Sequence, residues 1–127
     1  MESNKMSKIP SDEEFARVSR EMAHEARNLD MVRQNVLCHF ENLCPLVNFH
    51  LLPQRDVNFR AYVFFKANRD IEHCTANGIV KEIQDFVYVE LARSGRGEKK
   101  DIKVAFEFDS DENVIANFEG DYYLRLR

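Results

Sequence analysis

Three groups of residues in this chain carry side chains that could do chemistry. The first is acidic. Asp109, Asp111 and Asn113 stand at the spacing of the first three ligands of an EF-hand calcium loop. The motif then fails, because Val114 occupies the position where the sharp turn needs Gly and Gly120 the position of the bidentate Glu. Helix capping accounts for the three residues without a metal. The second group is Cys38-His39, Cys44, His50 and His73-Cys74. These residue types bind zinc or serve as nucleophile and base, but the paired Cys-x-x-Cys and His-x-x-x-His spacings are missing. Cys38 and His39 are neighbours in a helical stretch, so their side chains diverge by about 100°. No catalytic residue, metal or cofactor is expected.

The third group is Arg93-Ser94-Gly95-Arg96-Gly97. Two arginines and flexible backbone amides could hold an anion, which makes Arg93 and Arg96 candidate anion-binding residues. The segment follows a predicted helix, however, and the helix dipole at a C-terminus favours cations. A C-cap with solvated arginines is the simpler account. No Gly-x-x-x-x-Gly-Lys phosphate loop is present. A small-ligand pocket between sheet and helices, near Arg93, Arg96 and Tyr62, is an alternative reading.

Charge is most uneven in the C-terminal third. From Asp101 to Asp121 seven carboxylates face Lys103 alone. Such a run can be a solvated face, or it can dock a basic partner, where opposite charge speeds association and fixes register. Tyr122 and Tyr123 adjoin it, and tyrosine is enriched at interfaces. The expected partner-binding residues are therefore Asp109, Asp111, Glu112, Glu119, Asp121, Tyr122 and Tyr123.

The elements that must position these groups follow from periodicity. Residues 1–10 are polar and read as a flexible leader, and 11–127 as one domain. Ser11 with Glu14 forms a capping box. Phe15, Val18, Met22, Ala26 and Leu29, then Val32, Val36, Phe40 and Leu43, recur at helical spacing until Pro45. The pattern predicts one long N-terminal helix, or two nearly collinear ones broken near Asp30. Leu46–Leu52 and Arg60–Lys66 read as strands of a hairpin. Asn68 or Asp70 caps a short helix that Asn77-Gly78 interrupts. Ile79–Leu91 reads as a helix, although Phe86-Val87-Tyr88-Val89 is also β-prone. Ile102–Phe108 alternates as a half-buried antiparallel strand. Asp109 with Glu112 caps a helix from Asp111 to Phe118, and Tyr122–Arg127 is a terminal strand or tail. This order predicts an α+β fold: a long N-terminal helix and a small, mainly antiparallel sheet with helices packed on one face.

Composition limits the function classes. The chain has 127 residues, 44% of them hydrophobic, with ten Phe and a formal net charge of −4. It can bury a core without disulfides or metals. The acidic balance weighs against a general nucleic-acid binder. Three cysteines at irregular spacing fit free thiols in a reducing compartment. With no signal-peptide pattern and no apolar run of membrane-spanning length, a cytoplasmic location is expected.

Phe106-Glu107-Phe108-Asp109-Ser110-Asp111-Glu112-Asn113-Val114, followed by Asn117-Phe118-Glu119-Gly120-Asp121-Tyr122-Tyr123, resembles a pattern in small bacterial immunity proteins. These belong to polymorphic-toxin and contact-dependent growth-inhibition systems. The resemblance covers the last quarter of the chain and is a strand-cap-helix phrase, not a catalytic signature. It implies a cytoplasmic, non-enzymatic inhibitor that binds a basic toxin domain through an acidic surface. The alternative from helix length is a structural or regulatory subunit that forms a homodimer through the N-terminal helix.

Overall fold

The computed structural model describes residues 12–54 and 58–127, with the backbone alone at 15, 18, 19 and 21–27. The expected leader, the Ser11 cap and the side chains of Phe15, Val18, Met22 and Ala26 lie outside the described residues. In chain order the elements are α1 (Asp12–Phe40), β1 (Leu46–Pro53), β2 (Phe59–Phe65), α2 (Asn68–Ala76), α3 (Ile79–Arg93), β3 (Val104–Ser110), α4 (Asp111–Phe118) and α5 (Tyr122–Leu126). The architecture is mixed, with helices around a three-stranded sheet of order β1-β2-β3.

β1 and β2 pair antiparallel, as a hairpin should. β3 does not: it pairs parallel to β2, with Phe59 opposite Val104 and Phe65 opposite Ser110. The expectation of a mainly antiparallel sheet is thus corrected. Alternation has period 2 in either direction, so it cannot report strand polarity. What sets the polarity is the crossover through α2 and α3, which carries the chain back to the starting end of β2, as a parallel neighbour requires.

β2 is the central strand, and six of its residues, Phe59, Ala61, Tyr62, Val63, Phe64 and Phe65, are buried. Phe59, Ala61, Val63 and Phe65 pack in one core with Val32, Val36 and Phe40 of α1 and Ile83, Val87 and Leu91 of α3. The i, i+4 spacing of both triplets aims each set at the sheet. Tyr62 and Phe64 point the other way and pack with Val114, Phe118, Tyr122 and Leu126 of α4 and α5. Helices therefore cover both faces of the sheet, not one. The reason is β2 itself: with bulky apolar residues facing both ways, it needs cover on both sides.

Phe86–Val89 lies inside α3, where burial of Ile83, Val87 and Leu91 on one stripe outweighs its β propensity. Glu90, on the same helix, is buried and accepts a 2.7 Å hydrogen bond from the Asn35 amide. The helix ends at Gly95 (φ 76°), where the Gly95 amide donates to Ala92 and the Arg96 amide to Leu91. That left-handed closure is the C-cap expected of glycine. Residues 122–126 form a helix, not a strand. Asp121 caps it, its Oδ1 accepting the Tyr123 amide at 2.9 Å and the Leu124 amide at 3.3 Å. α2 begins after Ala67, whose amide donates to Asp70 Oδ2 at 2.9 Å.

Candidate functional site

The side chains expected to bind a partner gather on the face of the sheet covered by α4 and α5. Alternation along β3 sends Glu107 and Asp109 to this face. Arg125, in α5, folds back over them. Its Nε donates to Asp109 Oδ2 at 2.5 Å and its Nη2 to Glu107 Oε1 at 3.2 Å. Arg60 of β2 stands 3.5 Å from the other Glu107 oxygen. The Arg125 guanidinium also lies 5.8–5.9 Å from the ring centres of Tyr62, Phe64 and Phe118. These rings shield it and strengthen its pairing with the carboxylates. Hydrogen bonds to Asp109 and Glu107 raise its pKa, outweighing the lowering effect of burial.

Asp109 is further tied to the start of α4. Its Oδ1 accepts the Ser110 amide at 2.8 Å and its Oδ2 the Asn113 amide group at 3.0 Å. The cap of α4 is Ser110, not Asp109: the Ser110 hydroxyl accepts the Asn113 amide at 3.0 Å. That hydroxyl also bonds to Oδ1 of Asn68 at the start of α2. Glu112 completes the link, accepting the Asn68 amide at 2.8 Å, while its own amide donates to the Lys66 carbonyl. Asp109, Asp111 and Asn113 thus receive protein donors. Among the described residues no group of three or more His, Cys, Asp or Glu is placed to hold a metal ion.

Asp111 accepts a 2.6 Å hydrogen bond from the Tyr122 hydroxyl. Burial first, then the Asp111 carboxylate, push the Tyr122 phenol above its ordinary pKa, so it stays protonated as the donor. The Tyr122 ring packs edge-on against Phe64 at 4.8 Å and lies 6.0 Å from His50. His50 Nε2 is buried with no hydrogen-bond partner. Burial, and then the charge of Arg33, lower the His50 pKa and favour the neutral imidazole.

The seven predicted contact residues divide by this geometry. Asp109, Asp111 and Tyr122 are spent on internal bonds that fasten α4 and α5 to the sheet. Glu112 and Asp121 are exposed yet also bonded, to the Asn68 amide and to the first amides of α5, while Glu119 and Tyr123 are exposed, Tyr123 at 73%. Glu112, Ile115, Ala116 and Glu119 follow one another at helical spacing along the outer face of α4, all exposed, with Ile115 at 61%. Glu119 adopts the left-handed conformation (φ 57°) that turns the chain toward α5. Arg125 and the Arg60 of β2 escaped the sequence reading, while Glu107, Asn68 and His50 were noted there in other roles. One signal was available: Asp121 two residues before Tyr123 is an N-cap pattern, and a helix there brings Arg125 back over the sheet.

Arg93 and Arg96 each make a contact of their own, and Arg96 Nη1 is buried with no hydrogen-bond partner. Arg93 turns back along α3 to Glu90 at 3.3 Å, and Arg96 lies over Phe59 with 5.3 Å from its Cζ to the ring centre. Tyr62 packs in the core of the opposite face, so the pocket expected between it and the arginines is filled by the phenylalanines of β2. Open concavity is found instead beside α3: a shallow groove of about 430 Å³ lined by Lys81, Asp85, Tyr88, Val89, Ala92, Glu98 and Lys99. No described helix is long and apolar enough to cross a membrane. The chain matches no family model, no curated protein and no solved structure.

Proposed function

We propose that this chain is a binding protein that docks a basic partner on the outer face of α4 and α5, and most concretely a toxin-neutralising immunity protein of the bacterial cytoplasm. The observation that carries the reading is the composition of that face. Along the chain from Glu112 to Tyr123, two large exposed side chains, Ile115 and Tyr123, are interspersed with the exposed carboxylates of Glu112, Glu119 and Asp121. An apolar and aromatic centre rimmed by charge is the anatomy of a protein interface. The internal bonds of Asp109, Asp111 and Tyr122 hold the face rigid, which lowers the entropy lost on binding. The strand-cap-helix phrase that resembles a pattern in immunity proteins falls on this same unit of β3, α4 and α5. Basic toxin domains are the partner class that the exposed carboxylates suit.

In this reading the long N-terminal helix is scaffold, packed on the far side of the sheet. Exposed Met31 on α1, at 56%, supports the alternative, a subunit that dimerises through that helix.

The test is affinity capture from the host with the wild-type protein and with a Glu119→Lys/Tyr123→Ala variant, read by mass spectrometry. The reading predicts a stoichiometric basic fragment on the wild type. Truncating a central tyrosine costs about 2 kcal/mol, roughly thirtyfold in affinity. The charge reversal slows association further at low salt. Equal recovery by both proteins removes the α4–α5 face from the reading.

A further inference from the structure

Arg125 sits in a cage that matches its own chemistry. Its Nε donates to Asp109 Oδ2 at 2.5 Å and its Nη2 to Glu107 Oε1 at 3.2 Å. The ring centres of Tyr62, Phe64 and Phe118 lie 5.8–5.9 Å from its central carbon, within reach of cation–π attraction. Arg60 stands 3.5 Å from the other Glu107 oxygen, so Oε1 and the Asp109 carboxylate are left to the occupant. The Asp109 side chain is only 13% exposed. A planar guanidinium bridges two carboxylates and lies against aromatic faces, whereas a lysine ammonium is a compact point charge with no such fork.

The walls of the cage are fixed more firmly than its occupant. Tyr62 and Phe64 are buried in the central strand, and Glu107 and Asp109 stand on β3. Phe118 ends α4, whose Ser110 cap is made without α5. Arg125 rides on α5, a five-residue helix with no buried residue. A helix that short has little stability of its own. Its remaining polar ties are the Asp121 cap and the Tyr122 bond to Asp111. It joins α4 through Glu119 and Gly120, both left-handed, with φ 57° and 74°. That conformation costs Glu119, which carries a Cβ, and leaves the joint strained.

We propose that this cage is a guanidinium-binding site which α5 plugs with Arg125, and that its external ligand is an arginine side chain of another protein. α5 swings out about Glu119 and Gly120, and the incoming arginine takes over the bonds to Glu107 and Asp109 and the three ring faces. In the docking reading that arginine belongs to the basic partner, and Glu112 and Ile115 stay in place on α4 to receive it. The site does not depend on that reading, because the cage is complete within this chain.

The test has two arms, both in the full chain. The first empties the cage with Arg125→Ala and adds methylguanidinium, with methylammonium as the control. At about 50 mM, and for a Kd on the order of 10 mM, the guanidinium raises the variant's thermal midpoint by about 3–5 °C. Methylammonium does not, and the wild type gains nothing, because Arg125 already fills the site. A variant stabilised no more by methylguanidinium than by methylammonium overturns the site. Arg125→Gln takes the place of Arg125→Ala if the latter does not fold. The second arm follows hydrogen exchange in the wild type with N-acetyl-arginine amide at about 100 mM. Capture of the open form speeds exchange of the α5 amides about tenfold and leaves those of α4 unchanged, while N-acetyl-lysine amide has no such effect. Exchange in α5 indifferent to the arginine amide overturns the plug. Neither arm uses a captured partner, so failure of the site and failure of the docking reading are told apart.

Discussion

At the scale of the residue, the site is decided by which polar groups find partners. Asp109 and Asp111 look alike in sequence to Glu119 and Asp121. What each one bonds separates structural carboxylates from surface ones. Arg125 and Tyr122 reach the first pair, Asp121 is exposed but caps α5, and Glu119 faces solvent. His50 sits at the inner margin of the same aromatic cluster with Nε2 unpaired, and its pKa is lowered from 6.5. A base whose folded pKa lies below its unfolded value leaves the unfolded chain holding more protons in the window between the two. Stability contributed by the neutral imidazole is therefore complete above pH 6.5 and declines as the pH falls below it. The thermal midpoint should fall on acidification from 6.5 toward the lowered pKa, and His50→Gln should flatten that part of the curve. A wild-type midpoint constant through that range would show that His50 is solvated in both states.

At the scale of the element, one hydroxyl joins two helices. Ser110 is fully buried, caps α4 through the Asn113 amide and reaches Asn68 at the head of α2. Ser110→Ala loses the cap and leaves Asn68 with an unmatched acceptor. The expected cost is about 2 kcal/mol, the sum of a typical cap and one part-buried hydrogen bond. Urea denaturation measures it, and a change below about 0.5 kcal/mol, within the range of surface substitutions, would deny the cap its role. The sequence places this cap one residue early, at Asp109. Asp109 and Glu112 satisfy the capping-box spacing, yet Asp109 is the last inward-bonded residue of β3, and the chain is free to turn only at Ser110. Gly95 made the end of α3 legible, whereas the cap of α2 is Ala67 and not Asn68 or Asp70, with Asp70 reaching back to the Ala67 amide. α5 was not legible, because a five-residue element is too short to show a period and owes its helix to the Asp121 cap and to packing on Phe64.

At the scale of the molecule, β2 supports two cores at once. Val63 and Phe65 serve the α1–α3 side, and Phe64 serves the α4–α5 side. Phe64→Ala should cost about 3–5 kcal/mol, as truncation of a fully buried aromatic does. It should also loosen α5, since Tyr122 and Arg125 both rest on that ring. With no Trp in the chain, tyrosine fluorescence can follow unfolding, and amide exchange in α5 shows where the loosening falls. Unchanged exchange in α5 alongside a lower urea midpoint would separate the two cores energetically and leave α5 held by its polar bonds alone.

The sequence by itself determined the helices and strands with a clear period, namely the α1 stripe from Leu29 to Phe40, the hairpin of β1 and β2, α2, the body of α3 and the alternation of β3. It also located the acidic third, because local propensity, turn residues and net charge are properties of neighbours along the chain. Only the tertiary structure decided the polarity of β3, the cover on both faces of β2, and the division of the acidic residues into those that fasten and those that face outward. Each of these depends on contacts between residues far apart in sequence: Phe59 with Val104, Phe64 with Tyr122, Arg125 with Glu107 and Asp109. Such pairings arise only when the α2–α3 crossover and the turn at Gly120 bring those segments together. Periodicity is blind to them, because it records which way a side chain points and not what it meets.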